Sequence, residues 1–212
     1  AVLLVVQFVF MIPDIIYVLE NTGFDPSWRY FLNVVNGTDL KFGRDIYFTY
    51  GPLGYLFYLM KLPGDTLEYW SGIVIWGIIF LFHLWMLLQL YRLYQKGKIH
   101  FWAITASVCC YLAGYYAPTR DNYLLYLMIL AVVLWAKGAK NIVLIPNLLL
   151  LLMFFGKFST FTSGFAFCIL FCIFDVLFRK NWKSIWLFLP GIILMPVCYL
   201  VYCPSIKNLF EY

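Results

Sequence analysis

Charge is what this sequence has least of. Only 12% of its 212 residues are charged, against about 25% in an ordinary globular domain. No block of five or six like charges occurs, and no RNA- or DNA-binding motif appears, so the net charge of +5 does not indicate nucleic acid. The six cysteines show no zinc-type spacing in a polar setting. Cys168 and Cys172 share a helix face but read as small apolar packing residues. The opening segment 1–11 lacks the basic stretch and small-residue cleavage site of a signal peptide. Internal repeats and low-complexity linkers are missing too.

What fills the chain is apolar. Hydrophobic residues make up 64% and aromatics 22%, with a mean hydropathy of +0.85. Too few polar side chains remain to cover a water-exposed surface, so the solvent for most of the chain is lipid. Only helices or closed barrels satisfy their backbone there. The long apolar runs lack the two-residue alternation of a barrel strand and select helices. A crossing helix needs about 20 apolar residues. The expected fold is therefore all-α: one polytopic transmembrane domain over 1–212, with spans near 1–19, 69–93, 100–117, 122–136, 142–156, 161–178 and 184–202. The fourth and fifth are short, and Pro146 suggests a kink in the fifth. The chain opens inside an apolar run and closes without terminator character, which suggests part of a longer membrane protein.

Loop charges orient the spans. Arg92, Lys96 and Lys98, then Lys137 and Lys140, then Arg179, Lys180 and Lys183 all fall on one side if spans alternate. Positive-inside reasoning makes that side cytoplasmic. The long connection 20–68 then faces outward, together with Asp25, Asp39, Asp45, Asp65, Glu68 and Asp121. Asp175 is the lone acid near an inner loop.

Within 20–68, Asp25-Pro26 reads as a helix start and Gly37 as a stop. Trp28, Phe31, Leu32 and Val35 form an apolar stripe, with Arg29, Asn33 and Asn36 off it. A second short helix is expected near 52–60, with Leu53, Leu56, Phe57 and Met60 as its apolar face. Both are expected to lie in the outer interface. Between them runs the polar, aromatic stretch Lys41-Phe-Gly-Arg-Asp-Ile-Tyr-Phe-Thr-Tyr50-Gly-Pro. Asn36-Gly-Thr38 forms a glycosylation sequon, meaningful only in a eukaryotic secretory pathway.

The order Asp25-x-x-Trp28, Asn33-x-x-x-Gly37, Gly43-Arg-Asp45 and Tyr50-Gly-Pro-Leu53 resembles the first extracytoplasmic loop of the C-type glycosyltransferase superfamily. The string from Gly43 to Gly54 is similar to that of a group of bacterial membrane proteins of this type. The resemblance covers residues 20–60; the remainder matches as a series of spans. It implies a polytopic enzyme of the bacterial inner membrane that moves a sugar from a polyprenyl-phosphate donor to a glycan, lipid or protein acceptor outside. It makes Asp25 the candidate catalytic base, and the chain carries one acid there where some members have a pair. An inverting transfer needs a single base, because the glycosyl phosphate brings its own leaving group. The cap role of Asp25 before Pro26 stands beside the catalytic one.

Arg44, Asp45, Lys157 and Arg120 are the candidate contacts to donor phosphate and sugar. Each has a plain counterpart: a local ion pair or turn network for Arg44 and Asp45, snorkelling for Lys157, and pairing with Asp121 for Arg120. No cofactor is expected, and the sequence leaves a divalent metal open. Some superfamily members use a divalent ion, but Asp25 with Asp45 is a thin ligand set. His83 reads as an interhelical hydrogen bonder rather than a metal ligand, and Asp14 beside Pro13 is unusual inside a span. A transporter or channel would use Asp14, His83 and Lys157 as a substrate path, yet paired broken helices in symmetric positions are not seen. A non-catalytic membrane subunit is the third reading.

Overall fold

The computed structural model describes residues 30–35, 38–40, 42, 45–46, 50–59, 66–100 and 120–202. The expected spans near 1–19 and 100–117 lie outside these residues. The fold is all-helical. Among the described residues five helices longer than ten residues run in chain order: α1 Thr66–Gln95, α2 Arg120–Ala136, α3 Leu144–Gly156, α4 Phe158–Arg179 and α5 Leu189–Tyr202. A short 3-10 helix at Gly54–Tyr58 precedes α1, and others at Lys140–Ile142 and Trp182–Leu187 lie between α2 and α3 and between α4 and α5.

Among the described residues three segments are long and apolar enough to cross a membrane: Tyr69–Gln95, Phe158–Arg179 and Trp182–Leu200. The chain is by this measure a membrane protein. Exposed aromatics on α1 support the same conclusion. Trp70 and Tyr91 are both more than half exposed and stand twenty-one residues apart. At about 1.5 Å per residue that is about 31 Å, close to the roughly 30 Å hydrocarbon core whose two faces attract such rings. α3 has 13 residues, about 20 Å, and is too short to span by itself.

The helices share one core. Met86, Leu124, Met128, Leu134, Ile142, Leu150 and Met153 are fully enclosed in it. Polar contacts then locate the two ends of the bundle. Trp76 on α1 packs on Tyr123 of α2, with ring centroids 6.2 Å apart, and donates from Nε1 to the Leu56 carbonyl at 2.8 Å. The start of α2 therefore lies at the same end as the 54–58 turn. At the far end, the Lys98 ammonium stands 3.9 Å from where a Cβ at Gly138 would lie. Trp186 lies near the start of α3 there, through its contact with Asn147.

α3 and α4 fold back on one another. In one straight helix Met153 and residue 164 would be about 16 Å apart, yet the Met153 side chain fills the space beside Gly164. Phe154 also meets Phe161 at 5.1 Å. The reversal turns on one residue, Lys157, whose backbone is extended at φ −146°, ψ 111°. Pro146 does not kink α3. It sits in the first turn, where its missing N–H belongs to a group with no intrahelical partner anyway.

The break falls in the last span instead. The expected helix 184–202 is divided at Phe188 into the 3-10 turn and α5. Pro190 has no N–H to give the Trp186 carbonyl four residues back. The buried Asn147 of α3 replaces it: Nδ2 donates to Trp186 O at 2.8 Å and to Val143 O at 2.8 Å. Its Oδ1 accepts from the Gly191 N–H at 2.7 Å. One side chain thus serves both sides of the break and ties α5 to α3. Replacing it by leucine keeps the volume and strands those groups in an apolar interior. Asn147→Leu should cost about 1–3 kcal/mol, read as a melting temperature several degrees lower in detergent. An unchanged melting temperature would show that the break is satisfied some other way.

Candidate functional site

The site is built where the loop of residues 50–59 meets the α3–α4 reversal. A helix end leaves its last carbonyls without partners, and here Phe155 and Gly156 are buried away from water. Lys157, being extended, carries the chain away from the ladder. The loop supplies the donors. The Gly51 N–H reaches the Gly156 carbonyl at 3.1 Å, and the Leu53 N–H reaches the Phe155 carbonyl at 2.8 Å. Pro52, the residue between, has no N–H and needs no acceptor. Tyr50 bridges to Lys157 in antiparallel fashion. The Tyr50-Gly-Pro-Leu53 motif is thus a backbone clamp on the helix break.

Side chains complete the joint. Phe57 lies on Gly156 so closely that any side chain there would overlap its ring. Tyr50 meets Phe57 edge-on at 6.5 Å. Leu32, from the helical segment 30–35, rests beside Gly54. The loop therefore touches the α3–α4 break, α1 through Trp76, and the segment 30–35.

That segment differs from its expected register. Leu32 and Val35 face the core as the apolar stripe requires, but Asn33 is buried too and Phe31 is exposed. The buried face is rotated toward the loop, where Leu32 packs beside Gly54. The second helix is also shorter than expected, a single 3-10 stretch at Gly54–Tyr58. Its start is displaced because Gly51 and Leu53 are committed to the clamp. Leu56 and Phe57 are buried as expected, while Leu53 is only partly so.

Lys157 is the expected site residue that the structure places most fully. Its ammonium lies 5.1 Å from the centre of the Tyr50 ring, within cation–π range, and the residue is half-buried. It precedes the N-terminus of the 22-residue α4, whose aligned peptide dipoles add positive potential there. Asp45 is exposed in a turn between buried Phe42 and Ile46. Arg120 begins α2, at the end of the bundle that also holds the clamp. Asp25 and Arg44 lie outside the described residues, as does Asp14. His83 bonds through Nδ1 to the Tyr123 hydroxyl at 2.9 Å and is buried, the interhelical role read from the sequence. Among the described residues no group of three or more His, Cys, Asp or Glu side chains is gathered as a metal site.

Two features escaped sequence reasoning. The pairing of Tyr50 with Lys157 joins positions more than a hundred residues apart, and no local pattern signals it. The first turns of α4 also carry an exposed hydroxyl face, Ser159, Thr162 and Ser163. Both Thr162 Oγ1 and Ser163 Oγ donate to the Ser159 carbonyl. The i, i+3, i+4 spacing of those hydroxyls was the available signal.

The chain matches no protein-family description, and none of the curated proteins or solved structures compared with it provides a match.

The clamp gives a direct test of this joint. Gly156→Val would force Phe57 aside, at about 1–3 kcal/mol for overpacking. It should lower the melting temperature and speed proteolysis within residues 50–59. Normal protection of that loop would show that it does not depend on close seating at Gly156.

Proposed function

We propose that this protein is a membrane glycosyltransferase. It moves a sugar from a polyprenyl-phosphate donor to an acceptor on the extracytoplasmic face, with inversion. One observation carries the reading: the motif behind the resemblance, Tyr50-Gly-Pro-Leu53, is seated on the helix break that holds Lys157. A cation, a helix N-terminus and the motif loop then share one end of the bundle. The basic turns occupy the other.

In this reading Asp25 takes the proton from the acceptor hydroxyl. The hydroxyl oxygen attacks the anomeric carbon, and the bond from that carbon to the phosphate oxygen breaks. Polyprenyl phosphate leaves with the electron pair. Lys157, Arg44 and Arg120 face the negative charge that develops on it, and Asp45 holds sugar hydroxyls. Fixed cations of this kind typically contribute a few kcal/mol each at a departing phosphate. No metal or other cofactor is invoked. The membrane is the bacterial inner membrane, with 20–68 outside and Arg92–Lys98, Lys137–Lys140 and Arg179–Lys183 inside.

Membranes holding the protein, given labelled polyprenyl-phosphate sugars, test the chemistry. Asp25→Asn keeps shape and capping ability while removing the base, so transfer should be abolished with expression unchanged. Lys157→Ala should instead weaken donor use, as a raised KM. Near-normal transfer by Asp25→Asn would reduce Asp25 to a helix cap and end this mechanism. Sidedness is tested separately. A cysteine at position 39 should react with an impermeant label from outside, and one at position 137 should not; the reverse pattern would invert the topology and move the site to the wrong face.

A further inference from the structure

We propose that the end of the bundle opposite the clamp carries a binding site for an anionic phospholipid headgroup, formed where α1 and α2 terminate. Two helices end there in the same way. At α1 the Gly97 N–H bonds to Tyr94 O at 2.8 Å and the Lys98 N–H to Leu93 O at 3.0 Å. At α2 the Gly138 N–H bonds to Trp135 O at 2.9 Å and the Ala139 N–H to Leu134 O at 3.0 Å. Both glycines are left-handed, at φ 66° and 100°, the Schellman closure that favours glycine. A lysine precedes each glycine: Lys96-Gly97 and Lys137-Gly138.

The paired closures gather cations. Lys98 reaches over the Gly138 turn, its ammonium 3.9 Å from where a side chain there would begin. Lys96, Lys98 and Lys137 are all exposed, and none makes an ion pair among the described residues. Arg92 stands one turn before Lys96, its guanidinium 3.2 Å from the Gln89 side-chain amide. Among the described residues no acid is paired with them. Asp175, the buried acid at this end, is engaged by Asn181 at 2.6 Å and Arg179 at 3.5 Å on α4.

Position then selects the ligand. Tyr91 and Tyr94 are exposed beside these cations, at the level where aromatic rings meet lipid headgroups. Leu88 on α1 and Ile129 and Val133 on α2 are exposed apolar residues within about two turns of those helix ends. A ligand fitted to the corner is anionic at one end and apolar at the other. A free phosphate or a soluble polyanion would use the cations alone. A phospholipid uses both, with roughly fivefold in affinity for each cation close to the headgroups.

The experiment uses purified protein in detergent, titrated with phosphatidylglycerol or with phosphatidylcholine of the same acyl chains. Melting temperature and native mass spectrometry of bound lipid are the readouts. Phosphatidylglycerol should bind at least about tenfold more tightly and raise the melting temperature more. Lys96→Gln/Lys98→Gln/Lys137→Gln should lose that preference. Lys180→Gln/Lys183→Gln, which removes charge from the turn packed on α3, α4 and α5, should keep it. Equal binding of the two lipids overturns the proposal, and so does a preference that survives the triple change. Equal loss in both variants overturns it as well, since attraction would then be diffuse. Soluble glycerol phosphate competing as well as the lipid would also overturn it. If the triple variant does not fold, Lys98→Gln alone should weaken phosphatidylglycerol binding about fivefold, and unchanged binding would again count against the site.

Discussion

The rest of this structure depends on how backbone polar groups are satisfied where a helix stops inside an apolar layer. α3 ends after 13 residues, and the extended Lys157 leaves carbonyls that water cannot reach. Two N–H groups from a loop about a hundred residues earlier supply the partners. That requirement fixes the loop's position on the bundle. It also explains the composition of the loop: glycine and leucine to donate, proline between them, and a tyrosine whose ring receives the lysine.

The same requirement is met differently in the last span. There the break comes from Pro190, and the buried Asn147 side chain supplies two donors and one acceptor. A side chain can serve a single missing bond on each side of a break. A full chain reversal leaves more backbone open and calls for a second stretch of backbone. The break served by backbone holds a half-buried cation against the Tyr50 ring, while at the break served by Asn147 the cation of the adjoining turn, Lys183, is exposed.

Cations are arranged differently at the two ends of the bundle. One holds the clamp, the Lys157 break and the start of α2. The other holds the glycine-closed helix ends and most of the exposed lysines, with Asp175 folded inward against Asn181 and Arg179. A cation beside an aromatic ring and a helix N-terminus suits a compact anion approached from the loop side. Spread lysines beside tyrosines suit a headgroup layer. The glycosyltransferase reading and the lipid reading rest on different ends, so each stands or falls alone.

Much of the architecture was legible in the sequence. Apolar run length gave the helices because lipid leaves the backbone no alternative. Charge at the run ends separated the two faces, since lysine and arginine are expelled from the hydrocarbon layer. The interhelical role of His83 followed from a polar residue in the middle of a long apolar run. The sequence also singled out Tyr50-Gly-Pro-Leu53 and Lys157, each on its own. Tertiary structure alone decided that they meet, that Asn33 turns inward, that Pro146 starts a helix while Pro190 breaks one, and that Asn147 repairs the break. These outcomes depend on which distant group supplies a missing hydrogen bond. A run of residues records the need for a partner, whereas the partner is chosen only when the helices pack.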